Sequence, residues 1–206
     1  MENIPFIFTV KHVDAEGKYL RIWACTDEKL YKSVQSILSE LRDKFDYMNP
    51  LTPATARPHT RCLARNMNGQ LLRAQILNSR PDGMILVQFV DYGNFSYVPL
   101  NTIRLSNGFP EAEFVLNMAE AATPFIIADL APIGGIWVDE IVDRIRSILC
   151  KNKFQGIYYN LNNRRAIKFT VNGEDFSRSL VHRNMALARY YMQPRINKLS
   201  FNERIC

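Results

Sequence analysis

The chain has 206 residues, a hydrophobic fraction of 47%, a charged fraction of 22% and a net charge of +6. These values fit one or two globular folding units. They exclude a disordered or fibrous chain, and no segment reaches the roughly 20 apolar residues needed to span a bilayer. Four scattered cysteines (Cys25, Cys62, Cys150, Cys206) and three scattered histidines (His12, His59, His182) give no ligand spacing for zinc. Reduced, partly buried thiols are expected instead. The basic residues have no run longer than Arg164-Arg165, so the excess charge reads as a solvated surface rather than a nucleic-acid track. The N-terminal residues carry no signal-peptide pattern.

Residues 4–26 read as two strands. Phe6, Phe8 and Val10 alternate with Ile7, Thr9 and Lys11, and Tyr19–Ala24 is a second β-rich run after the turn residues 14–18. Residues 27–46 then switch to helical spacing, with Leu30, Val34, Ile37, Leu38, Leu41 and Phe45 on one stripe and Thr26 or Asp27 as cap. Pro50, Pro53 and Pro58 stop that helix. From 59 to 106 the period shortens again. Four strand-like runs, 60–65, 71–78, 84–91 and 95–98, are separated by Asn68-Gly69, Pro81-Asp82-Gly83 and Gly93-Asn94, which predicts a small antiparallel barrel.

Beyond about residue 112 the pattern is mixed. Residues 125–130 form a strand candidate, and 137–149 an amphipathic helix with Trp137, Ile141, Ile145, Ile148 and Leu149 on one side. Residues 154–161 and 166–171 read as a hairpin through Asn162-Asn163, residues 175–183 as a helix, and the segment after Pro194 as a tail. The order of elements suggests a compact barrel inserted into a second α+β unit. Residues 4–26 should then pair with strands that follow residue 120.

Three stretches carry a specific resemblance: Arg61-Cys62-Leu63-Ala64-Arg65, Gln70-Leu71-Leu72-Arg73-Ala74, and Phe89-Val90-Asp91-Tyr92-Gly93-Asn94. Their spacing resembles the Tudor domain, with its Cys-x-Ala, Tyr-Arg-Ala and Val-Asp-Tyr-Gly-Asn elements. The flanking strands and long helix resemble the staphylococcal-nuclease-like, OB-type unit that wraps an extended Tudor domain. The resemblance implies a mainly β, α+β fold: an SH3-like Tudor barrel (58–106) inserted in an OB-like unit (1–47 plus 111–192), joined by the helix 27–46, with a tail at 193–206.

The family resemblance also implies a non-catalytic reader of arginine, methylated or not, in a PIWI-type partner's N-terminal tail. It would act as a scaffold in a cytoplasmic, perinuclear germline granule beside other granule proteins, with no cofactor, no metal, no membrane contact and no direct RNA binding expected. Aromatic faces attract a guanidinium through their quadrupole, and an amide oxygen accepts a remaining N–H. Carried over residue by residue, Phe89, Tyr92 and Asn94 match the family's cage. Leu72 stands where the family has a tyrosine, and Asn66 or Met67 where it has an aromatic. Asp91 sits within the same motif and reads chiefly as a hydrogen-bond acceptor at the turn.

With two rings replaced, little dependence on methylation is expected, and Asn66 could accept an N–H where a ring cannot. Phe95 and Tyr97 are expected to pack beyond the motif turn. The alternatives are a full symmetric-dimethylarginine reader, or a module that has lost arginine reading and binds RNA or a partner elsewhere. For the RNA alternative the best cluster is Tyr158, Tyr159, Arg164, Arg165 and Lys168. For a nuclease, Asp129, Asp139, Glu140 and Asp143 are available, but their spacing reads as a solvated face.

Overall fold

The computed structural model describes residues 5–150 and 152–189. Its elements run β1 (Phe6–Glu16), β2 (Tyr19–Cys25), α1 (Glu28–Leu41), β3 (Asn49–Pro50), β4 (Arg61–Arg65), β5 (Leu71–Ser79), β6 (Met84–Phe89), β7 (Phe95–Pro99), β8 (Ile103–Leu105) and α2 (Pro110–Asn117). They continue with β9 (Thr123–Ile127), β10 (Leu130–Ala131), α3 (Asp139–Leu149), β11 (Lys153–Leu161), β12 (Arg164–Val171), β13 (Glu174–Asp175), α4 (Phe176–His182) and β14 (Leu187–Ala188). The tail expected from residue 193 lies outside the described residues.

Two sheets result. One has the order β11-β1-β2-β9-β12-β13, and β11 also pairs with β12, so five strands close on themselves. The N-terminal strands therefore pair with strands that follow residue 120, as the discontinuous pattern predicts. The other sheet, β3-β8-β4-β5-β6-β7, is built wholly from the intervening segment. The inserted-barrel architecture is thus present, with mixed α+β content.

Local chemistry explains most element boundaries. Asp27 caps α1, accepting from the Leu30 amide at 2.9 Å, which leaves a carboxylate at the positive end of the helix dipole. Asp175 caps α4 in the same way through the Arg178 amide. Asn162 and Asn163 both have positive φ, 49° and 61°, the pairing that a two-residue hairpin turn of matching twist requires. The strand read over 125–130 is interrupted at Asp129, whose φ of 61° turns the chain between β9 and β10. Pro110 opens α2, a helix that the mixed pattern did not reveal.

Three large buried clusters organise the packing, beside a small one of Ile126, Ala128 and Ala166. The closed sheet and α3 enclose Phe8, Val10, Ile22, Phe125, Ile145, Leu149, Ile167 and Phe169. The inserted barrel encloses Cys62, Leu72, Ala74, Ile76, Val87, Phe89 and Ile103. The third joins helices to barrel: Val34, Leu38, Leu41 and Phe45 of the predicted stripe pack on Leu63, Leu71, Val115 and Leu116. The apolar stripe of α1 is thus consumed by the outer face of β4 and β5 and by α2. That packing fixes α1 beside the turn that follows β6.

Candidate functional site

The turn Asp91-Tyr92-Gly93-Asn94 leaves β6 and meets both units. Gly93 has φ of +86°, and a Cβ there would lie 1.9 Å from Cδ2 of Trp23. Only glycine serves the left-handed backbone and the close approach together. Trp23, on β2 of the closed sheet, is itself held by its indole N–H, which donates to Asp14 Oδ2 at 3.2 Å. The motif turn is therefore seated on the other unit's indole.

Asp91 faces inward, with 1% of its surface exposed. Its carboxylate accepts from Arg73 Nε at 2.8 Å, from the second terminal nitrogen of Arg73, and from the Ala121 amide at 3.0 Å. The same guanidinium donates to the carbonyls of Val115, Met118 and Ala119 at 2.7, 2.9 and 2.7 Å. All five guanidinium N–H groups thus have acceptors, and the orphan carbonyls at the C-terminus of α2 are satisfied with them. Asp91 serves as a structural acceptor and presents no oxygen to a ligand. The Arg of the Tyr-Arg-Ala element, to which the sequence reading gave no role, is its partner.

The predicted cage residues are divided. Phe89 is 1% and Leu72 4% exposed, and both lie in the barrel core. In this arrangement neither presents a face to a guanidinium. Tyr92 and Asn94 are half-buried at the turn. Met67 is 91% exposed at the tip of the β4–β5 loop. Asn66 lies in the same loop, where its side-chain oxygen accepts from the Asn68 and Gln70 amides at 3.0 and 2.9 Å. Both lone pairs of that oxygen are occupied in holding the loop, which corrects the expectation that Asn66 could accept a ligand N–H. Phe95 and Tyr97 do not pack as expected either. Each is 43% exposed, and the Arg80 guanidinium lies 5.2 Å from the Tyr97 ring.

The structure adds a ring that the motif does not contain. Tyr31 of α1 meets Tyr92 hydroxyl to hydroxyl at 2.7 Å, with ring centroids 6.0 Å apart and planes at 78°. Lys11 of β1 places its Nζ 3.5 Å from the Tyr31 ring centroid. Burial raises the Tyr31 hydroxyl pKa, reinforced by the hydrogen bond to Tyr92. Burial also lowers the Lys11 pKa, opposed by Cys25, Glu28 and Asp91. Tyr31 occupies an unremarkable helical position in the sequence. Its role follows from how α1 is packed, which no local motif signals.

The carboxylates considered for nuclease chemistry are dispersed. Asp129 pairs with Lys168 and Asp143 with Arg146, while Asp139 and Glu140 occupy the first turn of α3. Among the described residues no group of three or more His, Cys, Asp or Glu side chains is placed to hold a metal. Of the basic and aromatic cluster, Arg164 pairs with Glu16 at 3.0 Å and lies 4.8 Å from the Tyr19 ring. Among the described residues no helix is long and apolar enough to cross a membrane. The thiols Cys25 and Cys62 are buried and unbridged, and burial pushes Cys62 up to about 12.

The family model for the Tudor domain matches residues 6–117. The chain belongs to the Tudor domain family. Tudor domain-containing protein 1 of Oryzias latipes is 22% identical over 171 residues, covering 82% of this chain and 15% of that protein. Its counterpart in Danio rerio is 28% identical over 93 residues, covering 45% of this chain and 7% of that protein. The chain thus spans only a small part of the curated relatives it matches.

Solved extended Tudor domains share its fold. The TD3 domain of mouse TDRD1, in complex with a MILI peptide containing dimethylarginine, superposes with a TM-score of 0.73 at 18% identity, covering 91% of this chain and 95% of that one. A mutant Papi domain of Drosophila melanogaster, in complex with a methylated Piwi N-terminal peptide, gives 0.70 at 13% identity, covering 90% of this chain and 99% of that one. The fold is that of an extended Tudor domain, a Tudor barrel joined to an OB-like unit.

Proposed function

We propose that this Tudor domain is a non-catalytic reader that binds the arginine-containing N-terminal tail of a PIWI-type Argonaute beside the Asp91–Asn94 turn. The observation that carries this is the position of Tyr92 and Asn94. They lie half-open on a turn seated against Trp23 of the other unit, in a fold whose solved neighbours hold methylarginine peptides. Residues 58–106 serve as the reading barrel, and residues 1–47 with 111–192 as the unit that frames it. As a scaffold the domain recruits its partner into a perinuclear germline granule, together with other granule proteins.

Methylation contributes little on this reading. A dimethylated guanidinium gains most from an aromatic box, because its methyl groups fill the box and shed hydration. Here Leu72 replaces one ring, and Phe89 is buried in the barrel core. One or two ring contacts remain, about 1–2 kcal/mol in all. The test is calorimetry with one arginine-rich PIWI tail peptide, unmethylated and symmetrically dimethylated. Both forms are expected to bind within about tenfold of each other, a difference of about 1.4 kcal/mol. A larger preference for the dimethylated form makes the domain a full methylarginine reader, and absence of binding by both removes the reader role.

A further inference from the structure

The contact between Lys11 and Tyr31 has an unusual origin in the backbone. Val10 pairs with Ala24 and His12 with Trp23, so Lys11 is the extra residue of a bulge in β1. A bulge re-aims the side chain it carries. This one directs an ammonium out of the strand and over the Tyr31 ring at 3.5 Å. That ring is the immediate neighbour of Tyr92, through the 2.7 Å hydroxyl contact. A cation therefore already rests on the aromatic surface next to the motif tyrosine.

The ammonium is held loosely in chemical terms. The ion pairs among the described residues do not include Lys11, and the two carboxylates whose charge favours its ammonium, Glu28 and Asp91, are committed elsewhere. Glu28 pairs with Lys153 at 2.6 Å, and Asp91 with Arg73. Lys153 adds repulsion, and burial weakens the hydration of the ammonium. The ring face is thus its principal compensation. A guanidinium is planar and more weakly hydrated, and it stacks on an aromatic face better than a compact ammonium does.

We propose that Lys11 is an internal surrogate for the ligand's cation, and that an arginine side chain binds by displacing its ammonium from Tyr31. This rests on the reader role proposed above and names two further specificity-determining residues, Lys11 and Tyr31, outside the Tudor motif. Displacement filters ligands. A neutral side chain gains too little from the ring to evict the ammonium. A lysine exchanges like for like. An arginine gains from its plane and its additional donors. Once displaced, the flexible lysine side chain extends into solvent and regains the hydration it lacks in the free protein.

The test uses the whole chain, wild type and Lys11→Met, which keeps an unbranched side chain without the charge. The probe is a ten-residue peptide of alternating alanine and arginine, with a control in which citrulline replaces every arginine. Lys11→Met is expected to bind the arginine peptide about three- to tenfold more tightly, as loss of a competing ring contact predicts, with no gain for the citrulline peptide. Equal or weaker measurable binding of the arginine peptide by Lys11→Met overturns the displacement while leaving the reader role intact. Absence of binding by both proteins overturns the reader role and the displacement with it.

A second measurement does not depend on the variant's stability. In wild-type protein the Lys11 ε-methylene protons should be shifted upfield by the Tyr31 ring and should return towards ordinary lysine values as the arginine peptide is added. Protons that stay shifted while the peptide is bound, or that are unshifted in its absence, overturn the proposal.

Discussion

Two cations lie close to the Asp91–Asn94 turn and are held in opposite ways. Arg73 has every N–H matched to an oxygen, two of them on Asp91, and is 1% exposed. Lys11 has a ring face as its principal partner and is half-buried. The first arrangement cannot exchange, because a guanidinium leaving it would strand a buried carboxylate's charge and the carbonyls of Met118 and Ala119. The second can, because removing an ammonium from a ring leaves no unsatisfied group. The difference separates the part of the motif that builds the seam from the part available for binding.

The largest expected effect comes from breaking the fixed half. Asp91→Ala removes the carboxylate that engages Arg73 and the Ala121 amide. It should cost about 3–5 kcal/mol, as loss of one partner from a buried pair does. Chemical denaturation is the measurement. The double variant Arg73→Met/Asp91→Leu should recover part of the loss, since no charge is then left unpaired. A loss below about 1 kcal/mol for Asp91→Ala would mean that the seam is not held by this pair.

Next in size is the seat of the turn. Gly93→Ala places a methyl group against the Trp23 ring and forces a left-handed backbone on alanine. The two effects together should cost about 2–4 kcal/mol. Because one part is steric, Trp23→Leu in the same chain should recover some of it. A double-mutant cycle that shows no coupling would place the strain in the backbone alone.

How far this was legible in the sequence differs between the same two halves. The alternation and turn residues of 59–106 were enough for four barrel strands, and the stripe Leu30 to Phe45 was enough for α1, because a period of 2 or 3.6 is written locally. The strand pairing of residues 4–26 with those after 120 followed from element order. The α2 helix did not, since Pro110–Asn117 is short and its apolar positions look like loop. Asp91 is readable as an acceptor, but its donor is not, because Arg73, 18 residues earlier, comes beside it only once β5 pairs with β6. Tyr31 and Lys11 were invisible for the same reason. Nothing in their local spacing distinguishes a ring beside Tyr92 from any other helical tyrosine. Asn66, just before Asn68-Gly69, has the look of a free acceptor until the loop's own amides are counted.

A smaller effect concerns His12, the residue after the bulge and thus tied to the displaceable half. Burial, with Arg146 second, lowers its pKa from 6.5 to about 4, while Asp14 and Asp143 oppose the shift. The folded state holds it neutral, so between about 6.5 and 4 the unfolded chain binds more protons than the folded one. Stability from this group is present above pH 6.5 and is lost as pH falls through that window. His12→Gln should flatten the dependence of Tm on pH there. Parallel curves for the two proteins would assign the acid sensitivity to other groups.

The smallest effect is the most informative about exchange. Tyr31→Phe keeps the ring under Lys11 and deletes only the hydroxyl that contacts Tyr92 at 2.7 Å. The Tyr92 hydroxyl also lies 3.5 Å from the Gln70 side-chain amide, so it is not left without a partner. A half-buried bond of this kind should be worth about 0.5–1 kcal/mol, against several for the Arg73 seam. Affinity for an arginine peptide should stay within about threefold, because the π face that the cation meets is retained. Tyr31→Leu should instead weaken peptide binding, with a similarly small change in stability. If Tyr31→Phe destabilises the domain as strongly as Asp91→Ala, the tyrosine pair is part of the fixed seam, and the division between the two halves of the motif disappears.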